Sequence, residues 1–245
     1  MLKLMHSTRL GRPLRQDDWP DLGIPTRVKI LEAIEAARLR EAKDLVTYLQ
    51  VEGKLLHDML CDYIWGNYTQ ISLHLGEVAV YRVGRAAQEA AEPPSMWEAF
   101  IKMSVEERVY VGAEILRSHY CGPRQDGTLE IIEEPDRISI QMDPCGSGGR
   151  MRRGDPAAGT PSRLGPPYNF GVTKEPHPWS WGKIGVPYYC AHCAVNEILA
   201  IEWVGFPPWV TGYNEDHQAP CSWHFYKKPE LIPEEFFSRL GLSKP

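Results

Sequence analysis

The sequence predicts an α+β protein: a helical N-terminal half packed on a small antiparallel sheet, with a long irregular flap. Three observations predict it. Apolar residues recur at helical spacing from Thr26 to about Gly122, and a β-rich hairpin pattern follows between Thr128 and Met142. A proline-rich, aperiodic stretch then runs from about Gly146 to Pro187. The same signals divide the chain into an N-terminal arm, residues 1–25, and a single α+β domain, residues 26–245. The helical part of that domain covers 26–122 and the cysteine-rich β/α part covers 123–245.

The arm holds Gly11, Pro13, Pro20, Gly23 and Pro25 without periodicity, which predicts an extended surface segment. Met1 to Gln16 carries Lys3, Arg9, Arg12 and Arg15, with no acid and no continuous apolar core of a secretory signal. A basic arm is the reading, with a transit peptide as the alternative. From Thr26, Val28, Leu31 and Ile34 recur at three-residue steps, and Ala42, Leu45 and Leu49 resume the stripe. Gly53 reads as an interruption. A second run from Lys54 to about Glu89 places Leu56, Leu60, Tyr63 and Ile64 on one side, as for core packing between helices. Pro93-Pro94 ends it. Ser95-x-x-Glu98 and Ser104-x-x-Glu107 both match a capping box, so two helix starts are expected nine residues apart.

In the second half, Glu133-Glu134-Pro135-Asp136 reads as a turn joining strands Thr128–Ile132 and Arg137–Met142, the latter running into Cys145. The flap contains Pro156, Pro161, Pro166, Pro167, Pro176 and Pro178. Its aromatics Tyr168, Phe170, Trp179 and Trp181 argue for order over a pocket rather than disorder. Ala194 to Val204 reads as a helix stopped at Gly205. In the strand beginning at Cys221, Cys221, Trp223 and Phe225 share one face. Pro233 to Leu240 reads as a last short helix.

Composition narrows the function classes. With 245 residues, 43% hydrophobic and 24% charged, the chain resembles ordinary soluble globular proteins. A formal charge of −5 argues against a nucleic-acid partner, and no stretch has the length of a membrane span. Six cysteines without a secretory signal point to a reducing, cytoplasmic setting, with a secreted three-disulfide protein as the alternative. The expected partner is a small-molecule substrate or ligand, and homo-oligomerisation is left open.

The chemistry-bearing residues centre on Cys145, Cys190, Cys193 and Cys221. A Cys-x-x-Cys pair with two outer cysteines has the ligand inventory of a tetrahedral thiolate site. Zinc is the default metal and an iron–sulfur cluster the alternative. Cys190 and Cys193 precede a helix, where the macrodipole favours thiolates, so redox or catalytic thiols without metal fit as well. Unrelated core cysteines are the plain alternative. Gly146, Ser147, Gly148, Gly149 and Arg150 form a glycine-rich turn able to hold an anionic group, against a flexible turn with solvated arginines at 150, 152 and 153. Trp181 of the flap would cover such a substrate. His119 and His192 are candidate proton carriers and Glu197 a candidate base. For His119, capping of helix carbonyls competes with that role.

Tyr189-Cys190, the helix after it and Cys221-Ser-Trp-His-Phe225, with the helices around Glu77 to Arg85, resemble the L-2-amino-thiazoline-4-carboxylic acid hydrolase-like family. More distantly they are similar to the 4-vinyl-reductase-type small-molecule-binding domain. The resemblance implies an α+β domain that binds a small molecule and, in one branch, hydrolyses a cyclic C–N or C=N bond. Joined to the cysteines, it sets the expectation of a zinc-dependent, hydrolase-like enzyme acting on a small anionic substrate. A non-catalytic ligand-binding or sensory domain with a structural zinc, and a thiol-redox or iron–sulfur protein, are the alternatives.

Overall fold

The first 25 residues are more than a plain extended arm. Strand β1 (Leu4–Ser7) pairs antiparallel with β2 (Arg12–Arg15), with Leu4 opposite Arg15 and Ser7 opposite Arg12. Arg15 clamps the hairpin in place. Its guanidinium donates to Thr26 Oγ1 at 2.7 Å and to the carbonyls of Leu22 and Ile24 at 3.1 and 2.6 Å. Its backbone N–H donates to Tyr48 Oη at 2.7 Å. These partners lie up to 33 residues away, beyond any local pattern.

The computed structural model describes residues 2–8, 12–154 and 159–245. Arg9 and Gly11 of the arm and Pro156 of the flap lie outside them. The chain forms two units, one from Met1–Leu60 with Asp155–Thr160 and the other from Cys61–Gly154 with Pro161–Pro245. In the first, short helix α1 (Trp19–Leu22) leads to α2 (Thr26–Glu35) and to α3 (Leu39–Leu75). Ala33, Ala42 and Leu45 form a small core with Ile30 and Leu2. The expected stripe is shifted, because Leu31 and Ile34 are exposed.

Gly53 does not interrupt α3, which runs unbroken for 37 residues. The break falls at Gly76, whose φ of +84° is a left-handed conformation open to glycine at little cost. Helix α4 (Glu77–Ala91) follows. Leu56, Leu60, Tyr63 and Ile64, expected inside, are exposed. In the second unit α3 instead buries Cys61, Trp65 and Thr69, spaced four apart along one face.

Helix α5 (Pro94–Lys102) starts on the proline pair rather than at Ser95. Pro93 occupies the N-cap without a side-chain cap bond, so the Ser95/Glu98 box goes unused. Helix α6 (Val105–Arg117) does use its box: Ser104 N–H donates to Glu107 Oε2 at 2.7 Å and Glu107 N–H to Ser104 Oγ at 3.2 Å.

Strands β3 (Glu130–Glu133) and β4 (Arg137–Met142) form the expected hairpin. They join β5 (Val210–Gly212) and β6 (Cys221–Tyr226) in an antiparallel sheet of order β3-β4-β6-β5. The β4–β6 register sets Ile138 opposite Phe225, Ile140 opposite Trp223 and Met142 opposite Cys221. That face packs with Val109, Ala113 and Leu116 of α6 in one apolar cluster.

The described part of the flap is not wholly irregular. It contains helix α7 (Gly148–Arg153) and 3-10 turns at Pro178–Ser180 and Tyr188–Cys190. Trp65 Nε1 donates to Gly171 O at 2.7 Å and Gly171 N–H to Thr69 Oγ1 at 2.8 Å, which ties the flap to α3. Helix α8 (Ala191–Val204) follows, ending at Gly205, and α9 (Glu235–Ser238) lies near the C-terminus. Among the described residues no helix is long and apolar enough to cross a membrane.

Candidate functional site

Three elements bring the thiols together. Strand β4 delivers Cys145, β6 begins at Cys221, and α8 begins just after Cys190 with Cys193 on its first turn. Cys145 and Cys221 border one apolar cluster; Cys190 and Cys193 border the other. All four are half-buried, while Cys61 and Cys121 are fully buried. Cys190, Cys193 and His192 keep accessible surface although protein atoms crowd them enough to desolvate them strongly. With the half-buried Cys145 and Cys221 they make up a partly accessible, thiol-lined region, the recess.

The glycine turn serves close packing. A Cβ on Gly148 would stand 2.4 Å from Cys190 Sγ, and one on Gly149 would stand 3.0 Å from Cys145 Cβ. Gly146 lies against the His119 carbonyl and donates its N–H to Cys121 Sγ at 3.2 Å. Arg150 N–H donates to Cys145 O at 2.8 Å, closing the first turn of α7. Solvated arginines do not occur at 150 and 152: both are buried, at 1% and 2% exposure. Arg150 Nε donates to Gly146 O at 2.9 Å and so braces its own turn. Ser147 is buried, with Oγ 3.7 Å from Cys145 Sγ.

Burial pushes the Cys190 thiol up, with Arg152 opposing and Cys145 and Cys221 adding to the rise. Burial also holds Cys193 well above the usual thiol range, and the neighbouring Cys190 adds to it. Cys221 is raised by burial and then by Cys145, and Cys121 is pushed up to about 12 by burial and Cys145. The resting state of these four thiols is the neutral S–H.

His192 and Cys193 form a close pair. Cys193 Sγ is 3.4 Å from His192 Nε2, and His192 Nδ1 is 2.6 Å from Tyr189 O. A carbonyl only accepts, so Nδ1 carries the proton and Nε2 presents its lone pair to the thiol. Burial lowers the His192 pKa, which keeps the imidazole neutral.

Arg152 and Tyr213 make a second constellation. Arg152 Nη1 donates to Tyr213 Oη at 2.9 Å, with its guanidinium carbon 5.0 Å over the ring, and Nη2 is 3.7 Å from Cys221 Sγ. Trp181 stacks on the other partner, Tyr213, at 4.8 Å. Trp181 Nε1 also donates to Glu197 Oε2 at 3.2 Å, so this residue is a fixed wall. Glu197 is 1% exposed and fully engaged: Oε1 accepts from Thr211 N–H at 2.5 Å and Oε2 also accepts from Arg239 at 2.7 Å. These bonds make it a structural keystone of the recess. His119 is half-buried at the end of α6 and meets the turn through its backbone.

Sequence reasoning placed Cys145, Cys190, Cys193, Cys221, His192 and Trp181 in one region. It missed the pairing of His192 with Cys193, which adjacency in the chain alone does not reveal. It also missed Tyr213, and it could not distinguish Arg152 from Arg150 and Arg153. Among the described residues, no three His, Cys, Asp or Glu side chains are grouped so as to hold a metal ion. Comparison with family models, curated proteins and solved structures finds no match for the chain.

Proposed function

We propose that the chain is a hydrolase of small anionic molecules that uses a thiol to attack a cyclic C–N or C=N bond. The reading rests on Cys193 Sγ standing 3.4 Å from an Nε2 whose tautomer is set by the 2.6 Å bond from Nδ1 to Tyr189 O. Nucleophile, base and a group that orients the base are the three parts of an activated thiol. A neutral, desolvated imidazole accepts the thiol proton as sulfur bonds to the substrate carbon. The C–N bond then breaks and the departing nitrogen takes that proton from Nε2. Water, deprotonated by the same imidazole, releases the acyl or imidoyl group and restores the thiol, so one water is consumed per turn. The resemblance to thiazoline hydrolases supports the substrate class.

The test is turnover of 2-aminothiazoline-4-carboxylate and related cyclic amidine and lactam carboxylates by wild type, Cys193→Ser and His192→Gln. The expected loss is at least about 100-fold in each variant, the usual contribution of a positioned base. Undiminished turnover in a folded Cys193→Ser protein removes the reading. A zinc or iron–sulfur site at Cys145, Cys190, Cys193 and Cys221 is the second reading. It draws support from the electrostatic influence of Cys145 and Cys221 on both Cys190 and Cys193. Metal analysis with an absorption spectrum separates the two.

A further inference from the structure

Several guanidinium groups in the second unit, buried or half-buried, have carboxylate or carbonyl partners. Arg163 faces Asp62, Arg239 faces Glu197, and Arg108 donates to the carbonyls of Pro208 and Tyr226. Arg152 is different. Among the described residues its Nε has no partner, as at Arg108 and Arg239, but at 2% exposure its terminal nitrogens meet only the Tyr213 hydroxyl and the Cys221 sulfur, neither a carboxylate nor a backbone carbonyl. Among the described residues no carboxylate forms an ion pair with it. An ion held away from water without a counter-charge costs several kcal/mol, and a guanidinium cannot escape by losing its proton.

The surroundings say what would supply the missing charge. Cys190, Cys221 and Tyr213, which neighbour this cation, are each only half-buried, so the cation lies close to the accessible surface. Of the five N–H donors on a guanidinium, the phenol and the thiol occupy two. The next residue, Arg153, is committed to Asp143 at 2.8 Å and to the carbonyls of His217 and Ala219. One charge without a counter-ion among the described residues, on a planar fork, matches a planar monoanion better than a dianionic phosphate.

We propose that Arg152, steadied by Tyr213, is the seat for the carboxylate of a small-molecule ligand bound in the thiol-lined recess. This deepens the hydrolase reading by naming the anionic group of its substrate, and it rests on that reading for its purpose. The binding event itself needs no turnover.

The experiment uses the full chain at constant ionic strength with L-pyroglutamate as probe and 2-pyrrolidinone, which lacks the carboxylate, as control. Thermal unfolding and the rate of Cys221 labelling by iodoacetamide, read by peptide mass spectrometry, are followed to about 20 mM, which detects millimolar affinity. Pyroglutamate is expected to raise the unfolding midpoint and slow labelling several-fold, and pyrrolidinone to do neither. Arg152→Met is expected to abolish both effects while unfolding, without ligand, at or above the wild-type temperature. Arg152→Lys keeps the charge without the fork and weakens protection about tenfold, the value of one charge-assisted hydrogen bond; it serves if the methionine variant fails to fold. Equal protection by pyrrolidinone, stronger protection by inorganic phosphate, no protection of wild type, or protection surviving in Arg152→Met or undiminished in Arg152→Lys each overturns the proposal. Protection should persist in Cys193→Ser, so loss of the hydrolase reading and loss of the carboxylate seat are separate results.

Discussion

Arg163 holds Asp62 in a two-pronged ion pair, with Nε and Nη2 standing 2.9 and 3.2 Å from the two carboxylate oxygens. The guanidinium carbon also lies 4.7 Å over the Tyr168 ring. The pair joins α3 to the flap and shows how this fold treats a buried cation that has only a structural duty. Asp62→Asn should cost about 2 kcal/mol, less than the 3–5 of a fully buried pair, because the Asp62 side chain keeps 24% exposure. Urea unfolding at neutral pH measures it. Adding Arg163→Met should cost less than the two single changes summed, since each single change strands the other partner; simple additivity would refute the coupling.

Glu197 makes the second such prediction. Its oxygens hold Thr211 of β5, Trp181 of the flap and Arg239 beside α9. Glu197→Gln removes the charge that compensates Arg239 and should lower stability by about 3 kcal/mol. Since Trp181 stacks on Tyr213, the recess wall should loosen as well, seen as faster iodoacetamide labelling of Cys221. A glutamine variant with wild-type stability and labelling would show that the network does not hold the wall.

Local signals were legible where local physics decides the structure. The Ser104/Glu107 box, the β3–β4 turn and the glycine stop after α8 depend on neighbours a few residues apart, and the chain states them directly. The buried face of α3 was not legible, because Leu56, Leu60 and Tyr63 make as regular a stripe as Cys61, Trp65 and Thr69. Periodicity cannot say which stripe meets the flap; the Trp65 and Thr69 bonds to Gly171 do. The cysteine set was legible as a motif, a Cys-x-x-Cys pair with two outer cysteines. Its chemistry was not, because the decisive partners, Tyr189 O, Tyr213 and Gly148, are identified by proximity rather than residue type.

Gly148 offers a direct test of that packing. A methyl group at this position would meet Cys190 Sγ at 2.4 Å, well inside contact distance. Gly148→Ala should therefore cost about 1–3 kcal/mol as α7 or the Cys190 side chain shifts. Cys190→Ala removes the clashing sulfur, so the double variant should recover most of that loss. The comparison is a thermal or urea unfolding cycle. A double variant less stable than the sum of the single changes would place Cys190 elsewhere.

Acid sensitivity should trace to His192. Burial lowers its folded-state pKa below the ordinary value of 6.5, so on acidification the unfolded chain takes up this proton first. The sign follows from linkage: the stability is present above about 6.5 and is lost as pH falls through the folded-state value. One such group gives a slope of at most about 1.4 kcal/mol per pH unit. His224, also lowered by burial, acts in the same direction. His192→Gln cannot take up the proton in either state and should flatten the slope of unfolding free energy between pH 6.5 and 5 relative to wild type. The raised thiols of Cys190 and Cys193 give the mirror effect, with stability lost as pH climbs above the ordinary thiol value of 9.0. An unchanged acid slope in His192→Gln would mean that His192 ionises in the folded protein as freely as in water. It would then be no neutral base for Cys193.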